Sequence, residues 1–316
     1  MSAPPTRARS GLAARAKGWF AISRVPFLSV GVLPYLLGMR IALWSGVEYH
    51  APVFWLGLAG VVLIMLATYF NGEYYDDIED RVSTELGRNP FAGGSGGVID
   101  GLLPAGHARI AGTVAAAVAV VVGLVLAFVF RTGVWTVPLG LFGLAAGFFY
   151  SASPLRWVQR GIGEILIGIC YGWLPVAIGY YLLAGELPVL LLWVSLPVAA
   201  TIFNVIFVNE YPDYEGDVIA GKRNLLLRLG REQGVAVYVA AVASAWATFA
   251  WALAHGVPSA IWPWYAAVAA VSAVPAAMML AGKWTVRKLL EPICGLTIVV
   301  NLATTAVLIA AFWQKG

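Results

Sequence analysis

The sequence predicts an all-α, polytopic membrane protein, with about nine transmembrane helices around a central cavity that opens to the cytoplasmic face. Three observations carry this. Of 316 residues, 60% are hydrophobic and only 11% charged, and the mean hydropathy is +0.82, whereas a soluble domain carries about 25% charged residues. The apolar residues gather into runs close to the roughly 20 that a spanning helix needs. The basic residues concentrate in alternate loops. A soluble enzyme and a disordered regulator are excluded, because a water-facing surface would be short of polar groups. Cys170 and Cys294 both sit in apolar runs, so no disulfide framework is indicated. His50, His107 and His255 are scattered without metal-ligand spacing.

The elements follow in order. Residues 1–17 are basic, with Pro and Ala, and are expected to be a poorly ordered cytoplasmic arm. It acts as a topogenic signal or as a contact for anionic lipid. A cleavable signal peptide is not expected, since the apolar run behind it is too long. Residues 18–316 are expected to form a single transmembrane domain. Five candidate spans lie near Pro26–Trp44, Pro52–Phe70, Ile110–Phe130, Val134–Tyr150 and Ile162–Leu183. Four more lie near Pro188–Val208, Val235–His255, Ala260–Ala281 and Pro292–Trp313. Helices are expected because backbone polar groups cannot stay unpaired in hydrocarbon, and that setting tolerates Pro34, Pro175 and Pro197.

Charge orients these spans. Arg7, Arg9, Arg15, Lys17 and Arg24 precede the first, and Arg81, Arg88 and Arg109 follow the second. Arg156 and Arg160 follow the fourth; Lys222, Arg223, Arg228 and Arg231 follow the sixth; Lys283, Arg287 and Lys288 follow the eighth. Seventeen of the 20 basic residues therefore share one side, leaving Arg40, Arg131 and Lys315 for the other. The positive-inside rule puts the amino terminus in the cytoplasm and the carboxyl terminus on the opposite side of a cell (inner or plasma) membrane.

Two acidic motifs stand at the cytoplasmic ends of spans two and six, within residues 71–80 and 209–217. Both contain Glu-Tyr-x-Asp-x-x-x-Asp: Glu73, Asp76 and Asp80, then Glu210, Asp213 and Asp217. Their recurrence is consistent with duplication of a helical unit. Residues at i, i+3 and i+7 share a helix face. Three carboxylates on one face repel unless a cation sits among them, and hard oxygen donors suit Mg²⁺ bridging carboxylates to substrate phosphates. The alternative is that these acids merely face water, which the second copy with identical spacing argues against. An EF-hand loop is excluded, because its Gly and Glu positions are missing.

Neighbouring residues extend the candidate site. Lys222 and Arg223 follow the second motif and could take phosphate oxygens through charge-assisted hydrogen bonds, or serve topology alone. The loop Arg88–Gly97 could wrap a phosphate in its glycine amides or act as a flexible connector. Tyr150 is an interfacial aromatic or lines a reaction pocket. Asn71, Asn209, Arg88, Arg156, Lys222 and Arg223 form the candidate substrate contacts.

These motifs resemble those of the UbiA-type intramembrane prenyltransferases. That family typically shows Asn-Asp-x-x-Asp-x-x-x-Asp after its second helix and a similar acidic motif after its sixth. Here Gly72-Glu73-x-x-Asp76-x-x-x-Asp80 takes the first place, with Asn71 displaced by one. Asn209-Glu210-x-x-Asp213-x-x-x-Asp217, followed by Ala-Gly-Lys-Arg and Arg228-Leu-Gly, is similar to the dihydroxynaphthoate polyprenyltransferase branch, which makes menaquinone precursors. Gly72, Glu73, Glu210 and Pro212 depart from the usual residues. The resemblance implies transfer of an isoprenoid chain from a polyprenyl diphosphate to an aromatic, quinone-precursor-like acceptor, with release of pyrophosphate. It implies Mg²⁺, as two ions, held by Glu73, Asp76, Asp80, Glu210, Asp213 and Asp217. Asp76, Asp213, Lys222, Arg223 and Tyr150 are then the candidate catalytic residues, with Tyr150 stabilising an allylic cation through its ring. The expected partners are the two substrates and the bilayer, and nucleic acid is not expected.

Two other readings remain open at this stage. A terpene cyclase of the same superfamily would ionise the diphosphate without an acceptor. A transporter is disfavoured, because transport sites lie near the midplane on broken helices and these acids cluster at helix ends.

Overall fold

Apolar runs become helices here, and polar residues decide where those helices break. The computed structural model describes residues 11–313. Helix α1 (Leu12–Ile22) ends at Arg24, whose φ of 43° turns the chain into the short Val25–Leu28 turn ahead of α2 (Ser29–Trp44). Residues 1–10 of the expected arm lie outside the described residues. The rest corrects the expectation of a poorly ordered arm through Lys17, because residues from Leu12 onward are helical. Docking explains the order: Gly18 lies against Leu102 and Leu103, and Ile22 is buried with Phe70, Val98 and Ala108.

Helix α3 (Ala51–Tyr75) runs past the apolar segment into the first acidic motif, and α4 (Asp77–Gly87) starts afresh behind it. Helix α5 (Ala105–Leu124) ends in a wider π-turn, Val125–Val129, and α6 covers Thr136–Ser151. Helix α7 (Gly163–Ile167) joins α8 (Leu174–Ala184) through a second such turn, Gly168–Trp173. Helix α9 (Leu190–Ile219) is the longest, at 30 residues. The short α10 (Leu225–Leu229) leads to α11 (Arg231–Ala254), α12 (Trp262–Leu280) and α13 (Arg287–Ala311).

Among the described residues, eight helical stretches are long and apolar enough to cross a membrane. The remaining expected span, Val134–Tyr150, is α6, whose 16 residues extend about 24 Å at 1.5 Å per residue, short of a ~30 Å hydrocarbon core.

Close backbone approach knits the bundle. A Cβ on Gly38 of α2 would strike the Val176 carbonyl of α8, and one on Gly179 would strike the Tyr35 carbonyl. Small residues serve this role in membranes, where helix association depends on packing. An apolar core joins α2, α8, α9, α11 and α13 through Leu37, Tyr180, Val194, Phe249 and Leu308. Helix α3 packs on α5 and α6, while α4 lies along α9. The two acidic motifs thus meet at one end of the bundle.

Candidate active site

The motifs do not share a backbone conformation. Asp76 leaves the helix (φ −101°, ψ 20°), so Glu73 closes α3 while Asp80 rides on α4. This corrects the expectation that Glu73, Asp76 and Asp80 line one continuous helix face. In α9, Glu210, Asp213 and Asp217 lie on an unbroken helix that runs through Pro212.

Asp76, Asp80, Glu210, Asp213, Asp217 and Lys222 line a single cavity of about 1190 Å³, including its open mouth. Lys222 ties the halves together, 3.1 Å from Glu79 Oε1 and 3.1 Å from Asp217 Oδ1. Burial opposes its charge, but Asp76, Asp217, Glu79 and Asp80 outweigh that and hold its pKa well above the ordinary lysine value. Burial, reinforced by the neighbouring Asp76, lifts Asp80 well above the usual carboxylate range. Glu79 is raised by burial against the pull of Lys222.

Asp76 and Asp217 are held by different elements. Ser151 Oγ, at the end of α6, donates to Asp76 Oδ2 at 2.5 Å, and Arg156 Nη2 stands 3.9 Å from Asp76 Oδ1. Asn224 donates to Asp217 Oδ2 at 2.8 Å while its own oxygen accepts from Leu227 N, capping α10. Glu164 Oε1 accepts from Leu225 N at 2.6 Å, which fixes the loop carrying Lys222.

The glycine-rich loop closes over this assembly. Gly93 N donates to Asp213 Oδ2 at 2.8 Å, and Ser95 N donates to Glu73 Oε1 at 2.9 Å. The loop amides therefore bind carboxylates from both motifs. Gly93 has a φ of 72°, a left-handed conformation that glycine adopts at no steric cost. Arg24 donates to Gly93 O at 2.8 Å and to Glu73 Oε1 at 3.3 Å, and its side chain lines the cavity.

A second, apolar chamber of about 920 Å³ lies deeper in the bundle between α3, α5, α6 and α8. Thr68, Tyr150, Ile167 and Tyr171 line both spaces, so they mark the junction. Polar mouth and apolar chamber together suit an amphiphile with an anionic head and a hydrocarbon tail.

The structure brings Asp76, Asp80, Tyr150, Asn209, Glu210, Asp213, Asp217 and Lys222 to the cavity wall. Four expected contacts are not part of that lining. Asn71 is buried against α5, its Oδ1 close to Gly112. Arg88 instead pairs with Asp100 at 2.7 Å on the exposed surface, and Arg223 is exposed. Arg156 stands behind Asp76 and Glu79. Glu73 likewise lies outside the lining, occupied by Arg24 and Ser95. Sequence reasoning missed Arg24, Glu79, Ser151, Glu164 and Asn224. Arg24 was counted only among topogenic charges, and Pro26 just after it was the one local sign of a turn. Glu79, three residues after Asp76, carried a spacing signal.

Among the described residues, no group of three or more His, Cys, Asp or Glu converges into a metal cage. Mg²⁺ is held by carboxylates together with substrate phosphates and waters rather than by all-protein cages. Asp76 Oδ1 and Glu210 Oε2 are buried without a hydrogen-bond partner in the protein. Both belong to residues lining the cavity, so the donor set fits such an ion.

The family model of the UbiA prenyltransferase family matches residues 31–289. The 1,4-dihydroxy-2-naphthoate octaprenyltransferase of Bacillus subtilis (strain 168) is 25% identical over 245 residues, 77% of this chain and 75% of that protein. The 2-carboxy-1,4-naphthoquinone phytyltransferase of a Synechocystis species is 26% identical over 72% of this chain and 71% of its own length. Among solved structures, an apo UbiA homolog from Aeropyrum pernix K1 superimposes with a TM-score of 0.67 at 18% identity, covering 89% of this chain and 97% of that one. A UbiA homolog from Archaeoglobus fulgidus bound to DMAPP and Mg²⁺ gives 0.60 at 17% identity, covering 92% and 98%. At such identities the structural likeness shows the fold.

Proposed function

The chain belongs to the UbiA prenyltransferase family, and we propose that it transfers an isoprenoid chain from a polyprenyl diphosphate to a naphthoate-like aromatic acceptor. The single observation that carries this is that the carboxylate-lined mouth and the apolar chamber adjoin, sharing Thr68, Tyr150, Ile167 and Tyr171 in their walls. The diphosphate rests among Asp76, Asp80, Asp213 and Asp217, and the isoprenoid tail lies in the chamber. The naming of two similar proteins for naphthoate and naphthoquinone prenylation supports the acceptor class.

Mg²⁺, as two ions, would be held by Asp76 and Asp80 on one side and by Glu210, Asp213 and Asp217 on the other. When bound, it supplies charge neutralisation to the diphosphate and its leaving group. Glu73 is a positioning residue in this mechanism, since it anchors Arg24. Lys222 and Arg24 point fixed positive charge into the mouth and stabilise the pyrophosphate as it leaves, an electrostatic contribution that needs no reorganisation at the moment of reaction. The bond between the allylic carbon and the bridging oxygen breaks, and its electron pair leaves with pyrophosphate. Tyr150 presents its ring at the junction, where the allylic cation forms, and stabilises it through the ring face. The acceptor carbon then bonds to the allylic carbon, and loss of the ring proton restores aromaticity. The apolar chamber excludes water that would otherwise capture the cation. The motif end faces the cytoplasm of the cell membrane, in keeping with the 17 basic residues on that side.

The test is product identification by mass spectrometry. Purified protein in lipid nanodiscs receives Mg²⁺, a labelled prenyl diphosphate and a panel of quinone-precursor acceptors. A prenylated acceptor is expected. Pyrophosphate release with a free terpene and no prenylated acceptor would exclude transfer and favour a cyclase.

A further inference from the structure

We infer that Gly123 of α5 and Gly140 of α6 set the length of isoprenoid chain that the apolar chamber accepts. This inference rests on the donor site proposed above and adds residues that determine its specificity.

The chamber has an inner end. It runs from the junction at Thr68, Tyr150 and Ile167 to Gly57, Thr136 and Leu182, all of which line it. At 1.5 Å per helical residue, the separations along α3 (Gly57 to Thr68) and α6 (Thr136 to Tyr150) span about 16–21 Å. That is less than a ~30 Å hydrocarbon core, so these lining residues lie within the depth of the bilayer. The end is built from paired groups: Thr132 and Thr136 share a 2.7 Å hydroxyl contact, and Thr132 Oγ1 donates to Leu126 O at 3.0 Å. These bonds fix the α5–α6 turn at that end.

The glycines along the wall differ in what a side chain there would meet. A Cβ on Gly143 would meet Leu174 Cδ2 at 2.8 Å, and one on Gly147 would strike Thr68 Oγ1. Those residues are glycine because neighbours press on them. A Cβ on Gly123 or Gly140 would meet nothing within 4 Å, yet both residues line the chamber. Both lie inside helices with ordinary right-handed backbone, where glycine is about 1 kcal/mol less favourable than alanine. Neither close packing nor backbone geometry calls for glycine there. What the missing side chains leave is open volume in the chamber, about one turn into α6 and near the end of α5. A side chain at either position would fill space that the tail of a long donor needs and a short donor does not reach.

The experiment uses the full chain in nanodiscs with Gly140→Ala, Gly140→Leu and Gly123→Leu. Donors run from geranyl to octaprenyl diphosphate. Binding is read as the donor-induced rise in Tm without acceptor, and turnover as prenylated product. The Leu variants are expected to lose about tenfold or more in affinity and kcat/KM for the longest donors, since one methylene in an apolar pocket already changes discrimination about tenfold or more and Leu adds four carbons. Geranyl diphosphate should be handled as by wild type, and Gly140→Ala should fall between. Val121→Leu, on the exposed side of α5, should change nothing. Equal loss for all donors, or no change with length, overturns the inference. If wild type binds donors in a length-dependent way but prenylates no acceptor, the proposed transfer fails while the length determinant stands. If wild type binds no donor, both fail.

Discussion

Glu73, Asp76 and Asp80 straddle a break between α3 and α4, whereas Glu210, Asp213 and Asp217 lie along one uninterrupted helix. In the second motif, helix geometry fixes the carboxylates relative to one another. In the first it does not, and other elements do so: Ser151 and Arg156 hold Asp76, and Arg24 with Ser95 takes Glu73. The same spacing in sequence thus yields a rigid half and a jointed half. The joint is tied to α9 through Lys222 and through the Gly93 amide. Variants should therefore separate into those that untie the halves and those that loosen the joint alone.

The largest effect is expected from Lys222→Met. It removes the cation shared by Glu79 and Asp217, all three side chains being more than 90% buried. Leaving buried carboxylates unpaired costs about 3–5 kcal/mol. Tm in detergent should fall steeply and transfer should be lost. Adding Glu79→Gln and Asp217→Asn should recover Tm without recovering transfer. A wild-type Tm in the single variant would mean that Lys222 does not hold the halves together.

Ser151→Ala loosens the joint and leaves α9 intact. A hydrogen bond to a charged group contributes about 1.5–3 kcal/mol. The KM for donor and the Mg²⁺ requirement should rise about tenfold or more, with kcat less affected. Asn224→Ala, its counterpart on the rigid half, should act chiefly on Tm, since it also removes a helix cap worth about 1 kcal/mol. Identical kinetic profiles for the two variants would erase the distinction between the halves.

The joint also predicts a pH dependence. Burial raises Asp80 and Glu79 above the ordinary carboxylate range. Between the unfolded and folded pKa values the folded protein holds more protons than the unfolded chain. Stability with chelator present should therefore fall as pH rises through that window, by up to about 1.4 kcal/mol per pH unit for each proton. Metal needs the carboxylates deprotonated, so stabilisation by Mg²⁺ should grow over the same window. Tm series with EDTA and with Mg²⁺ check this, and a gap that stays constant with pH would contradict it.

Arg88→Ala should do least. It breaks an exposed pair with Asp100, of a kind typically worth about 0.2–1 kcal/mol. Transfer should be unchanged, whereas Arg24→Ala, at the cavity wall, should impair it.

The spans were legible in the sequence because hydropathy is a local property, and each expected segment corresponds to helix. The ends were less so. Pro212 looks like a breaker yet sits inside α9, while the break falls at Asp76, where no proline or glycine marks it. Bundle packing, which the sequence does not display, decides both. The carboxylates were legible from their repeated spacing. Of the basic partners Lys222 was legible and the others were not, because reach across the fold decides them: Arg88 and Arg223 are near the motifs in sequence but outside the cavity, and Arg24 is distant in sequence but inside it. Asn71 and Gly72 show the finest limit, since one residue of displacement turns Asn71 toward α5 and leaves Gly72 at the wall.

The most direct measurement is transfer of a labelled prenyl diphosphate to a naphthoate acceptor in Mg²⁺-containing membranes, with Asp76→Ala and Asp213→Ala compared with wild type at equal expression. Each variant takes one carboxylate from one half of the mouth. A loss of about 100-fold or more in both is the result expected if the two halves clamp one diphosphate. Full transfer activity in both variants would contradict it.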